Sequence, residues 1–394
     1  MKSDNISETP VIFIKTNEFL EEIIMNNPLK LNSLTFQMFQ SIHDKILPYV
    51  DKEYLLGEEV RPSFLLCEDK SCNVIAMEKI PKIILLYSTG GKSFSSGGSL
   101  SNLYEYKKAG DYAKLILFYD YELSCDYFLH RMSPILISIW EGYVMGGGVG
   151  ISINSKIRIA TDDTVFAMPE TSIGYFPDVG AGYFLTRIFN NEASIGLFCG
   201  LTGHRLKGKE TVMAGVATHF VKKENLNKVK NLIREYSYHN KKYDIKEIEE
   251  LIEPFCEIVF NSKSFYFENS IWIKEIFIFD TLFHIYERLE QIQKGNNSTD
   301  AKRLWAKEII SILNRMSPQS LLIFFEYAKI SLKFKDILES YEVDRKLYGK
   351  LIYETEFFEG IRAALIDKDK NPNWNIKSLS DIKGNEDFIL SLFN

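Results

Sequence analysis

A chain of 394 residues suffices for one large domain or two ordinary ones, and 45% hydrophobic with 25% charged residues is the balance of a globular protein with a sizeable core. The formal net charge of −6 argues against nucleic acid as a partner, because phosphate backbones select a basic excess. No stretch reaches the roughly 18 uninterrupted apolar residues of a membrane span, so no membrane partner is expected either.

The first ten residues, MKSDNISETP, hold no apolar signal core and no arginine-rich amphipathic pattern, so neither secretion nor a standard transit peptide is legible there. Residues 11–14 and 19–25 read as short strands, rich in Ile, Val and Phe, followed by the turn signal Asn26-Asn27-Pro28. Over 34–50 the apolar residues take helical spacing. Residues 51–78 are irregular, carry Gly57, Pro62 and a charge cluster, and read as a surface insertion. The compact apolar run 82–87 is a strand that enters a glycine- and serine-rich loop ending Ser96-Gly97-Gly98. A second strand, 135–140, leads into Gly146-Gly147-Gly148-Val149-Gly150, with a helix expected to begin at Gly147 or Gly148. Strands at 156–160 and 165–168 follow, the latter ending at Pro169-Glu170, and a helix-like run occupies 181–188. Strand, glycine loop and helix alternate, which is an α/β pattern. Past residue 223 glycine becomes scarce, and helices are expected over 226–236, 245–260, 273–294 and 301–316. The texture divides the chain into an α/β core, 1–225, and a mostly helical region, 226–394.

The five cysteines, Cys67, Cys72, Cys125, Cys199 and Cys256, are an odd, sparse set that suggests a reducing compartment. No second Cys or His pair follows Cys67 and Cys72 at zinc spacing, so no metal is expected. The six histidines are scattered without paired spacing, and His219 reads as packed structure.

The glycine loops can turn backbone N–H groups into a cavity, and two donors on one oxygen make an oxyanion hole; two tight strand-to-helix turns are the plainer alternative. Nucleotide motifs fail in detail. Gly91-Lys92-Ser93 lacks the earlier P-loop glycine, because that position is Leu86, and Gly146 to Gly150 does not complete a dinucleotide fingerprint. Gly97-Gly98-Ser99-Leu100-Ser101 departs from the nucleophile elbow at its last residue. Two carboxylates sit in apolar surroundings: Glu170 in Ala167-Met168-Pro169-Glu170-Thr171, and Asp178 in Phe176-Pro177-Asp178-Val179-Gly180. Such a pair can divide base, acid and nucleophile roles, whereas the structural alternative makes both residues helix caps.

Taken together, these segments resemble the crotonase (enoyl-CoA hydratase/isomerase) superfamily. Asn26 to Leu34 is similar to its N-terminal signature beside the CoA adenine, and Ser93 to Gly98 and Met145 to Gly150 are similar to its two oxyanion loops. The resemblance implies a crotonase β/α spiral core with a helical C-terminal extension and places the donors on the N–H groups of Ser96 and Gly147. A typical hydratase has glutamate two residues after its glycine triplet, where this chain has Gly150, while Glu170 matches the second family glutamate. The Phe-Pro-Asp-Val-Gly segment with Asp178, the blocks around residues 202–208 and 214–219, Met316-Ser317-Pro318 and the segment from Phe358 to Trp374 resemble the 3-hydroxyisobutyryl-CoA hydrolase branch.

That branch implies thioester hydrolysis, with Glu170 as nucleophile or as base for water, Asp178 orienting water or the acyl hydroxyl, and Glu122 binding the acyl hydroxyl. It implies no cofactor beyond the CoA of the substrate, a mitochondrial location (with the cytoplasm as the alternative, since no transit peptide is legible), valine breakdown as setting, and homo-oligomerisation as an option. Ser99 stands where the family usually has aspartate, and 51–78 is longer than the family norm; either points to an altered acyl group. A hydratase or isomerase with Glu170 as sole base, or a non-catalytic acyl-CoA binder, are the alternatives.

Overall fold

The computed structural model describes residues 9–50, 62–66, 77–189, 191–239, 243–259, 265–295, 298–384 and 386–394. The chain divides into two compact units, 1–99 with 120–166 and 206–262, and 100–119 with 167–205 and 263–394.

The first unit is built on two sheets. Strands β1 (Val11–Lys15), β2 (Leu20–Met25), β3 (Ile83–Ser88), β4 (Ser93–Ser95), β5 (Ile135–Trp140), β6 (Tyr143–Met145), β7 (Ile157–Ala160), β8 (Val165–Ala167), β9 (Leu206–Lys207) and β10 (His219–Phe220) alternate with helices. The larger sheet has the order β1-β2-β3-β5-β7-β10, and the smaller one β4-β6-β8-β9. Apart from the antiparallel β1–β2 pair, the recorded pairings of the larger sheet are parallel. A parallel strand covered on both faces reads as a continuous apolar run, which is why 83–86 and 135–140 were legible.

The helix predicted over 34–50 is Phe36–Ile46 with a 3-10 turn, Leu47–Tyr49. Its N-cap is Thr35, whose hydroxyl accepts the Met38 N–H. Leu34 lies outside it and bridges to Gly98. The helix predicted over 245–260 stops at Ile252, two residues before Pro254, which has no N–H to continue the helical ladder, and Cys256 returns to bridge with Val221. The single helix predicted over 273–294 is two, Phe265–Ile276 and Leu282–Lys294, with the Thr281 hydroxyl capping the second through the His284 N–H.

The division at residue 225 is corrected. Helices Leu226–His239 and Ile245–Ile252 bury Leu226, Val229, Ile233, Ile248 and Ile252 in one core with Leu20, Ile83, Leu85, Ile137 and Ile159 of the larger sheet. Conversely, 167–205 groups with the C-terminal helices. Loss of glycine marks a change of secondary structure; the apolar face of each helix decides which core it joins. Of the insertion 51–78, residues 51–61 and 67–76 lie outside the described residues, and so do Cys67 and Cys72. Phe64 and Leu65 are buried, and the Ser124 hydroxyl donates to the Phe64 carbonyl at 2.9 Å, so this part is packed rather than on the surface. Cys125 and Cys199 are buried thiols and Cys256 is half-buried.

Strand β2 is buried along its whole length yet carries two acids. Glu22 receives Arg234 at 2.7 Å and 2.9 Å, the Tyr87 hydroxyl at 2.7 Å and the Thr16 hydroxyl at 2.6 Å. Burial alone would raise its pKa, but these bonds outweigh burial and hold it below the ordinary carboxylate value. Arg234→Ala leaves this charge buried with two neutral donors and is expected to cost about 3 kcal/mol of stability, since breaking a buried pair strands its partner. A lower urea midpoint at unchanged slope is the expected result; an unchanged midpoint would mean that the pair contributes nothing net.

Candidate active site

The glycine turns lie in the first unit. Parallel pairing of β4 with β6 sets the loops that follow them side by side. Gly97, at φ +96°, lies so close to the second loop that a Cβ there would sit 3.1 Å from the Met145 carbonyl oxygen and 3.5 Å from the Gly147 nitrogen. Gly146 (φ +49°) precedes helix Gly147–Ile153, which starts where the sequence placed it. The Gly147 N–H belongs to the first turn of that helix, whose donors have no carbonyl within the helix.

Ser96 does not fit the donor role implied for it. Its N–H donates to the Leu31 carbonyl at 3.1 Å. Leu34 takes the Ser99 N–H at 2.8 Å and gives its own N–H to the Gly97 carbonyl at 2.9 Å. In that parallel bridge the amide of the central residue, Gly98, points away from Leu34. The Gly98 nitrogen is 3.4 Å from the Cβ position of Gly147, so the amide facing the second loop is that of Gly98. Sequence alone could not show this, because it depends on which neighbour of Gly97 is bridged to Leu34.

Helix Tyr112–Arg131 brings Glu122 to the same place. Its carboxyl is buried, and a Cβ on Gly147 would overlap its Oε1. Gly147 is therefore required by the Glu122 side chain. Gly150 adds no carboxylate to this helix.

The acids Glu170 and Asp178 lie in the second unit. Glu170 opens a 3-10 turn, Glu170–Ile173, which closes at Gly174 (φ +73°). It caps no helix. The turn is buttressed from the C-terminal segments. A Cβ on Gly174 would lie 2.5 Å from the Glu356 carbonyl oxygen and 2.9 Å from the Trp374 ring, and Ser317 gives its N–H to the Thr171 carbonyl at 3.0 Å. Glu356 is held in turn by the Ser317 hydroxyl at 2.8 Å and the Asn375 N–H at 2.9 Å. Met316-Ser317-Pro318 and the segment from Phe358 to Trp374 thus belong to the structure that fixes Glu170.

Asp178 begins a turn through Val179 (φ +51°) and Gly180 (φ +83°) into helix Ala181–Leu185. It is not the cap of that helix, since Gly180 holds that position. A β-branched residue in the left-handed region costs about 1–3 kcal/mol and persists only where its surroundings fix it. Asp344, on helix Ile337–Leu351, accepts the Gly180 N–H at 2.7 Å, and the Ser340 hydroxyl accepts the Tyr183 N–H at 3.2 Å.

Glu170 and Asp178 are both 7% exposed. Burial, with the Asp178 charge second, pushes the Glu170 carboxyl well above the ordinary carboxylate value, and burial pushes Asp178 up to about 7. Glu170 Oε2 has no hydrogen-bond partner among the described residues. Its proton is held by the low polarity of the site and can leave when a neighbour's charge changes, which suits proton transfer or attack. Among the described residues no group of three or more His, Cys, Asp or Glu side chains is arranged to hold a metal ion, and no helix is long and apolar enough to cross a membrane.

Comparison with known proteins identifies the family. The enoyl-CoA hydratase/isomerase family model matches residues 70–389. The mitochondrial 3-hydroxyisobutyryl-CoA hydrolase of Dictyostelium discoideum is 32% identical over 385 residues, covering 95% of this chain and 90% of that protein. The mitochondrial 3-hydroxyisobutyryl-CoA hydrolase of Homo sapiens is 31% identical over 363 residues, covering 91% and 83%. Among solved structures, an enoyl-CoA hydratase from Rhodobacter sphaeroides superposes with a TM-score of 0.76 at 23% identity, covering 98% of this chain and 97% of that one. A carnitinyl-CoA dehydratase from Mycobacterium thermoresistibile gives 0.77 at 22%, covering 98% and 96%. At those identities the structural likeness establishes the crotonase fold. The chain belongs to the enoyl-CoA hydratase/isomerase family, in the branch of the 3-hydroxyisobutyryl-CoA hydrolases.

Proposed function

We propose that the chain hydrolyses 3-hydroxyisobutyryl-CoA to 3-hydroxyisobutyrate and CoA. The observation that carries the reading is the buried pair Glu170 and Asp178, together with Gly150 where a hydratase has its other glutamate. In this reading the Gly98 and Gly147 N–H groups bind the thioester oxygen as negative charge develops on it. Glu170 attacks the carbonyl carbon or takes the proton of the attacking water, Asp178 orients water or the acyl hydroxyl, and Glu122 accepts the acyl hydroxyl. The C–S bond breaks and CoA leaves as a thiolate that takes up a proton; on the nucleophilic route water then cleaves the mixed anhydride, releasing 3-hydroxyisobutyrate and restoring the Glu170 carboxyl. A thiolate leaving group needs no metal, and no cofactor is assigned.

The test is thiol release from 3-hydroxyisobutyryl-CoA, followed with a thiol-reactive dye. Release by the wild type supports the reading. A folded protein that releases no thiol but bleaches the conjugated absorbance of crotonyl-CoA is a hydratase, and one that binds CoA without turnover is a binder. The relatives' names place them in mitochondria, and this chain is assigned there by likeness. Co-fractionation with a matrix marker tests that assignment.

The pH dependence follows from the two acids. Burial keeps both protonated in acid, so release is expected to rise with pH along a limb centred at or above the value near 7 set by Asp178. Asp178→Asn removes the negative charge that raises Glu170. The remaining limb should then move to lower pH, while kcat falls about 10- to 100-fold. A limb that stays in place would show that the two acids do not interact.

A further inference from the structure

Asp178 acts on two other buried carboxyls of the second unit, Glu170 and Asp344, and the reaction as written uses only the first of them. Asp344 is 1% exposed. Its Oδ2 accepts the Gly180 N–H at 2.7 Å, and its Oδ1 has no hydrogen-bond partner among the described residues. The turn it touches holds consecutive left-handed residues, Val179 and Gly180, directly after Asp178. The same helix closes over that turn: a Cβ on Gly180 would lie 2.9 Å from the Tyr341 ring and 3.0 Å from Ile337.

We propose that Asp344 is a positioning residue for Asp178: by holding the Gly180 N–H it fixes the left-handed turn that aims the Asp178 side chain. It does this as a neutral acid. The charged or titratable groups acting on it are Asp178, from the turn, and the Tyr327 hydroxyl, from helix Pro318–Ser331; no cation acts on it among the described residues. The Tyr327 hydroxyl is itself within 2.5 Å of the Ser340 hydroxyl and donates to the Ser340 carbonyl at 3.0 Å. Arg345, the next residue, lays its guanidinium 4.9 Å over the Tyr348 ring. Burial first, and the charge of Asp178 second, hold the Asp344 proton in place. Asp178 is then free to be the member of the pair that ionises.

The inference rests on the reading of Asp178 as a catalytic group, so the test has one arm that needs turnover and one that does not. In the first arm Asp344→Asn, which keeps an acceptor for Gly180 and mimics the neutral acid, is expected to stay within about 3-fold of wild-type kcat near pH 7, whereas Asp344→Ala loses about 10-fold or more at little change in KM. In alkali the wild type should decline as Asp344 ionises, and the Asn variant should not, so the ratio of Asn to wild-type rate grows with pH.

In the second arm, melting temperatures of wild type and Asp344→Asn are compared from about pH 5 to about pH 9. Above the unfolded carboxyl's range, near 4, the unfolded chain has released this proton and the folded chain still holds it. Wild-type stability relative to Asn therefore falls as pH rises, until the folded carboxyl ionises too. The Asn variant should gain about 2 °C or more on the wild type across the series. If the wild type releases no thiol, the functional reading has failed and the melting series alone judges Asp344. An Asn variant as slow as Ala, or a flat melting difference, overturns the inference.

Discussion

Glu170→Gln is expected to reduce thiol release at least about 1,000-fold while leaving acyl-CoA binding within a few-fold. Glutamine keeps the shape and one acceptor oxygen but can neither form an acyl bond nor take a proton from water. The fold should be unharmed. The side chain is buried, its Oε2 meets no hydrogen-bond donor among the described residues, and burial already disfavours its charge. A neutral amide removes that cost, so the variant should melt at or above the wild-type temperature. Loss of rate with gain of stability is the signature of a group held in a costly state for function. Isotope labelling of the wild type separates the two roles left open for Glu170. If wild-type Glu170 is the nucleophile, repeated turnover in 18O-labelled water places label in the Glu170 carboxyl, because water can attack either carbonyl of the mixed anhydride. If it is a base, the label goes to the product alone. Normal release by the Gln variant would remove Glu170 from the chemistry altogether.

The legible parts of the molecule were those governed by local pattern. Continuous apolar runs gave β3 and β5 to within a residue, because a strand covered on both faces has no polar side to blur its ends. The start of helix Gly147–Ile153 followed from the glycines, and Glu170 and Asp178 stood out as acids in apolar company. What was missed depends on pairing between distant residues. Ser96 and Gly98 are two positions apart in one loop, and only the bridge to Leu34 decides which amide turns outward. The boundary at 225 failed because helices that share a texture join different cores. Asp344 did leave a trace. The buried residues of its helix, Ile337, Ser340, Tyr341, Asp344, Leu347, Tyr348 and Leu351, fall at helical spacing on one face. A carboxylate on that stripe is out of place unless something on the facing element needs it.

Gly147→Ala is expected to lower kcat about 100-fold or more, the cost of disabling one oxyanion donor. The cause is steric. Gly147 is not among the glycines at positive φ, so alanine meets no backbone penalty there. Its methyl, however, would overlap the Glu122 carboxyl and lie 3.4 Å from the Gly98 nitrogen. Something must shift, and each direction harms the site: displacing Glu122 removes the acceptor assigned to the acyl hydroxyl, and displacing the helix start moves the Gly147 N–H. Glu122→Ala alone is expected to raise KM about 10-fold, as for a lost hydrogen bond to a charged group, with a smaller effect on kcat. The double variant distinguishes the two routes of damage. If the methyl acts by collision, Glu122→Ala makes room for it, and the double variant recovers kcat relative to Gly147→Ala, a coupling of about 1 kcal/mol or more. Strict additivity would mean that Glu122 and Gly147 do not share the contact described, and wild-type kcat in Gly147→Ala would take its amide out of the oxyanion site.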